Sequence, residues 1–217
     1  MKILLARFLL LLALVGLARA APLSRDLGQG LAYFRVHQLP ADLPTAEAAR
    51  RQACILDLRY VDGSSEEATA LSAWLKFNAT AHAPVFVLAN AQTSAALLSV
   101  VAPRGPGASV VVLGVPSPAF TPDIALKVSA ETERSAYDAL EHGATVDSLL
   151  AENLDKPRND EAKLAKDRKG ESSAVEEEPS ADLADLVAKP KLPPPLIDAV
   201  FQRAVQLHRA LLALKKI

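Results

Sequence analysis

The sequence predicts an α/β fold with mainly parallel central strands joined by crossover helices. Three observations carry that prediction. Residues 53–58, 85–88 and 109–113 are short runs, apolar apart from Asp57 and the leading Ser109, and the last two are rich in valine. Helix-length patterns separate them, and turn residues bound them. Runs apolar on both faces are what strands covered on both sides require, and that favours parallel pairing.

Gly28-Gln29-Gly30 reads as a loop, and residues 31–36, with Tyr33 and Phe34, form the first expected strand. A Pro- and Asp-rich loop leads to the strand at 53–58, in which Asp57 alone is charged. Ser65 opens a helix whose Ala68, Leu71, Trp74, Leu75 and Phe77 mostly share a face, with Glu66 and Glu67 in its positive first turn. Pro84 precedes the strand at 85–88, expected to lie beside 53–58 at the centre of the sheet. A second helix spans 93–102 and stops at Pro103, and the strand at 109–113 closes on Gly114. Ser129 caps a helix over 130–141 that ends at Gly143.

Composition divides the 217-residue chain further. Residues 1–20 read as a cleavable signal peptide: Lys2 and Arg7 precede an apolar run from Phe8 to Leu17, and Ala18-Arg19-Ala20 supplies the small-x-small cleavage pattern. The run falls short of the about 20 apolar residues that span a bilayer, so no stable membrane span is expected after cleavage, and the destination is periplasmic or secreted. The cleavage site carries no cysteine, so a lipoprotein anchor is not expected. Residues 21–150 form the core. Residues 151–195, charged and without aromatics, read as a disordered linker ending in Pro193-Pro194-Pro195. Residues 196–217 form an amphipathic helix with a stripe of Leu196, Val200, Ala204, Leu207, Leu211 and Leu214, widened by Ile197, Phe201 and Leu212. Asp198, Gln202, Arg203 and Arg209 fall on the other side. That stripe is expected to dock on the chain's own core, with pairing in a homodimer as the alternative.

Without the leader the chain keeps 21 basic against 25 acidic residues, a net charge of about −4. That balance, with no basic cluster, argues against nucleic acid as a partner. Cys54 is the only cysteine, so no internal disulfide exists, and its apolar setting marks a small buried hydrophobe. His37, His82, His142 and His208 lack metal-ligand spacing, and neither metal nor cofactor is expected. Asn78-Ala79-Thr80 fits a glycosylation sequon.

Four segments, in this order, resemble the catalytic core of the tail-specific (carboxyl-terminal processing) serine proteases, which share the ClpP/crotonase superfold. Leu31-Ala32-Tyr33-Phe34-Arg35-Val36 resembles that family's opening strand. Ile55-Leu56-Asp57-Leu58-Arg59 resembles its Leu-Asp-Leu-Arg strand, and Pro84 to Asn90 the strand that delivers the nucleophile. Val110 to Gly114 resembles the next strand, with Thr121-Pro122-Asp123-Ile124 as a later Pro-Asp turn and a similar closing helix. The family's peptide-recruiting PDZ module has no counterpart in the segments read above.

The resemblance implies a serine nucleophile, a lysine base and an oxyanion loop, and the sequence departs at each. The nucleophile position falls on Ala95 within Asn90-Ala91-Gln92-Thr93-Ser94-Ala95-Ala96-Leu97-Leu98. The lysine position falls near Ala119-Phe120. The oxyanion loop, Tyr60-Val61-Asp62-Gly63-Ser64, keeps Gly63 but has Ser64 in place of a second glycine and lacks the asparagine. No catalytic residue is therefore expected. Ser94 is read as a helix-start serine bonding backbone, and Lys127 as a solvent-facing strand residue. Asp57 and Arg59 look like structural partners of each other or of nearby backbone. The expected function is that of an exported pseudoenzyme that binds a peptide or protein, or serves as a scaffold. The opposing expectations are a divergent hydrolase built on Ser94 with Lys127 or a histidine, and an assembly subunit acting through the terminal helix.

Overall fold

The computed structural model describes residues 23–45, 47, 49, 52–102, 109–150 and 196–217. The expected leader and the linker at 151–195 lie outside them. The chain divides into two compact units, one running to Glu133 and taking in Ala199–Ile217, the other Arg134–Asp198.

The first unit is built on a six-stranded sheet whose strands lie side by side in chain order. They are β1 (Leu23–Asp26), β2 (Leu31–Arg35), β3 (Ala53–Asp57), β4 (Val85–Leu88), β5 (Val110–Gly114) and β6 (Ile124–Ala125). β1 pairs antiparallel with β2, and every later pairing is parallel. β3 and β4 are adjacent at the centre, with Ile55 opposite Phe86, as their apolar runs, broken only by Asp57, predict. β1 is a strand that the pattern does not announce. It folds back through Gly28, Gln29 and Gly30, whose φ values of 75°, 53° and 73° explain the glycines, and the Gly28 N–H donates to Asp26 Oδ1.

Parallel strands joined in sequential order, with crossovers of one hand, put every connection on the same face of the sheet. Helix α1 (Ser65–Asn78) and helix α2 (Ala95–Val101) lie there. Leu71, Leu75, Leu97 and Val101 form one cluster with Cys54, Leu56, Val85, Val87, Val110 and Val112 of the sheet. Val36, Leu39 and Phe120, from connecting loops, join the same cluster. Within α1, Phe77 departs from its expected place: it is 59% exposed, and Asn78 is buried in its stead. Asn78 Nδ2 donates to the Trp74 carbonyl, so the sequon asparagine is turned inward.

Winding in one direction leaves the opposite face bare, and the terminal helix covers it. Ala199–Ala213 lies against β4 and β5. Its buried face differs from the expected stripe: Val200, Phe201, Ala204, Val205 and His208 are buried, whereas Leu207 and Leu211 are half-buried and Leu214 is 67% exposed. The apolar band is wide enough to allow either rotation, and aromatic partners on the sheet select this one. Phe201 packs on Tyr33 with ring centroids 4.7 Å apart.

Helix α3 (Ala130–Glu141) begins in the first unit, where the Ser129 Oγ accepts from the Thr132 N–H. It ends in the second, where Gly143 takes a φ of 90°. Helix α4 (Val146–Leu149) follows, capped by Thr145. The Asp198 N–H donates to the Leu149 carbonyl at 3.1 Å, and Asp198 is buried, not on the outer side expected for it. The terminal helix, α5, starts one residue later. Among the described residues no helix is long and apolar enough to cross a membrane.

Candidate functional site

The strand ends of β3 and β4 and the start of α2 are tied together by backbone and short polar side chains. After β4 the chain turns through Ala91 and Gln92, whose N–H donates to Asn90 Oδ1. The Thr93 hydroxyl donates to the Leu58 carbonyl at 2.9 Å and accepts from the Asn90 N–H at 3.2 Å. Thr93 therefore locks the turn onto β3, and α2 starts two residues later than its sequence pattern suggests.

Ser94 is the N-cap of α2. Its N–H donates to the Val61 carbonyl and its hydroxyl to the Gly63 carbonyl, both at 3.0 Å, while its Oγ accepts from Leu97 N–H. These bonds use the hydroxyl as a clasp between α2 and the loop after β3. This is the backbone-bonding role expected of it. Lys127 is exposed beyond the end of the two-residue β6, so it is solvent-facing but not part of a strand.

The loop of Tyr60 to Ser64 is held by bonds of its own. Gly63 offers its carbonyl to Ser94, and a Cβ added to it would meet the Leu97 side chain at 2.8 to 3.0 Å. Leu97 is fully buried, so α2 presses directly on this loop. Ser64 caps α1: its Oγ accepts from the Glu67 N–H, and its own N–H donates to Glu67 Oε2 at 2.7 Å. Tyr60 bends the chain into the loop at a φ of 62°.

Ala95, first residue of α2, is exposed. It borders an open pocket of about 430 Å³ together with Ala91, Thr93, Leu98, Ala119 and Phe120. Ala95 and Ala119, 24 residues apart in the chain, thus line one pocket with Phe120, and all three carry apolar side chains. Among the described residues, none that lines the pocket is charged. Gly114 lets Phe120 and the end of β4 approach β5 closely: a Cβ there would come within 2.0 Å of the Ala89 carbonyl oxygen and 2.9 Å of the Phe120 ring. In the sequence Gly114 marks only the end of a strand, and nothing local signals this close approach. Asp123, in the Pro-Asp turn, accepts from the Val112 N–H at 2.8 Å and so fastens that turn to β5.

A second polar cluster sits under α5. The Asp57 carboxylate accepts from Arg59 Nε at 2.9 Å, Arg59 Nη2 at 2.6 Å, the Arg59 N–H at 3.1 Å and the Tyr33 hydroxyl at 2.9 Å. Asp57, Arg59 and Tyr33 are fully buried. Burial, then the Asp57 charge, raises the Tyr33 phenol well above its ordinary value, so it stays a donor. The arrangement satisfies a carboxylate and leaves it no room to act as a base. Cys54 is on the opposite face, where burial pushes its thiol up to about 12, too high to form a reactive thiolate. Among the described residues no group of three or more His, Cys, Asp or Glu side chains is placed to hold a metal ion.

No family model matches the chain, and no curated protein matches it.

Proposed function

We propose that this chain is an exported, non-catalytic protein with a tail-specific-protease-like core of the ClpP/crotonase superfold, and that it binds a peptide or protein at the Ala95 pocket. One observation carries the reading: Ala95, Ala119 and Phe120, the positions the resemblance assigns to nucleophile and base, line the same pocket. Two further features support it. The neighbouring hydroxyl, on Ser94, is bonded to the Gly63 carbonyl, and the loop of Gly63 and Ser64 is occupied with clasping α2 and capping α1. A nucleophile needs a base within hydrogen-bond reach and donors aimed at the developing oxyanion. An apolar pocket without them is suited to holding a side chain and not to cleaving a bond.

The test has two arms. Exported protein, whose intact mass should begin at Ala21, is treated with a fluorophosphonate probe; no covalent label is expected. Labelling abolished by Ser94→Ala would establish the divergent hydrolase instead. In the second arm, Ala95→Trp fills the pocket. A partner retained from the exported fraction by the native chain and lost with Ala95→Trp supports binding there, whereas equal retention by both places binding elsewhere.

A further inference from the structure

His208 lies within the buried face of α5 and is 2% exposed. Its ring stands edge-on to Phe86 of β4, with centroids 6.3 Å apart and planes at 84°. Because Val85, Val87, Val110 and Val112 point into the opposite cluster, the strands beneath α5 offer it Phe86 and Leu88 from β4 and Val111 and Leu113 from β5. None of these titrates. Further along the same face, β3 brings Asp57, whose oxygens are taken up by Arg59 and Tyr33, and β2 brings Arg35. On its own helix the neighbouring charge is Arg209.

A neutral imidazole suits this surface. An imidazolium does not: it would lose water against aliphatic and aromatic side chains and stand beside a guanidinium. Burial first, and Arg209 second, hold the His208 pKa below the ordinary imidazole value of 6.5. A group whose folded pKa is depressed gives its full stabilisation above the unfolded value. That contribution is lost as the pH falls through 6.5 toward the folded value.

We propose that His208 is an acid-sensitive latch: neutral, it holds α5 against β4 and β5, and protonated, it lets α5 lift and uncovers the Tyr33–Phe86 face of the sheet. The inference is independent of the Ala95 pocket, which lies among the connections on the other side. With an unfolded pKa of about 6.5, the equilibrium for lifting the helix rises by up to about thirty-fold between pH 8 and pH 5.

Hydrogen exchange on the full chain, corrected for the intrinsic pH dependence of exchange, reads this directly. Amide protection across α5 should fall by up to about thirty-fold at pH 5 relative to pH 8, with α1 unchanged, and His208→Gln should abolish the difference. Equal protection of α5 at both pH values would overturn the latch. So would an equal loss in α1, which signals global unfolding, or the same acid response in His208→Gln. Should that variant fail to fold, the imidazole NMR titration of the native chain decides: a midpoint below 6.5 that moves with the α5 amides supports the latch, and any other midpoint refutes it.

Discussion

On the α1–α2 side of the sheet, the inward residues of β3, β4 and β5 are Cys54, Leu56, Val85, Val87, Val110 and Val112, all apolar or a thiol. On the α5 side the same sheet buries Tyr33, Arg35 and Asp57, with Arg59 folded back onto Asp57 and His208 against Phe86. The first face coheres by area alone, which is non-directional and forgiving of small shifts. The second depends on geometry, because a buried carboxylate is tolerable only while its hydrogen bonds are intact. The two faces should therefore fail differently, gradually on one side and abruptly on the other.

The largest effect is expected at Arg59. Arg59→Ala strands Asp57 without its ion pair and should lower unfolding free energy by about 3–5 kcal/mol. Replacing the Asp57–Arg59 pair with its Tyr33 partner (Tyr33→Phe, Asp57→Leu and Arg59→Met together) removes both charges of the pair at once and should cost less than Arg59→Ala alone. Denaturant unfolding of both variants measures this. A triple variant weaker than the single one would mean that the face behaves as another additive core.

On the apolar face Leu71→Ala, at a fully buried position, should cost about 2–5 kcal/mol, with the value set by how far the cluster collapses into the space. Leu71→Met, of similar volume, should cost under about 1.5 kcal/mol. A conservative exchange that proved as damaging as the truncation would show this side to be as exacting as the other.

The same contrast governs what the sequence discloses. β3, β4 and β5 are legible because strands covered on both faces read as nearly continuous apolar runs, broken here only by Asp57. β1 is not: Leu23-Ser24-Arg25-Asp26 is an edge strand with exposed side chains, formed by pairing with β2 and not by any pattern of its own. The existence of α5 is plain from its spacing, but its rotation is not. Leu207 and Leu211 fit a regular stripe, yet Phe201, Val205 and His208 are buried, because the choice depends on Tyr33 and Phe86, distant in sequence. Asp57 and Arg59 are two residues apart and suggest their pairing. That Ala95 and Phe120 share a pocket is a long-range fact that no periodicity carries. Gly114 looks like punctuation until Ala89 is seen against it.

The smallest expected effect separates the two faces by pH. Ser64 and Glu67 form a reciprocal cap at the start of α1, each receiving a backbone N–H from the other. Ser64→Ala removes one half of it and should cost about 0.5–2 kcal/mol at neutral pH. The Ser64 backbone N–H, then the Ser64 hydroxyl, hold the Glu67 pKa below its ordinary value of 4.5. Its contribution is therefore complete above 4.5 and is lost as the pH falls through the folded value. His208 loses its contribution from 6.5 downward, so acid should reach the α5 face first and the α1 cap only later. Thermal unfolding of Glu67→Gln between pH 7 and pH 3 tests the order: the variant should match the native chain in its response above pH 5 and flatten only below it. A Glu67→Gln chain that lost its response between pH 7 and pH 5 would place the earlier titration on the wrong side of the sheet.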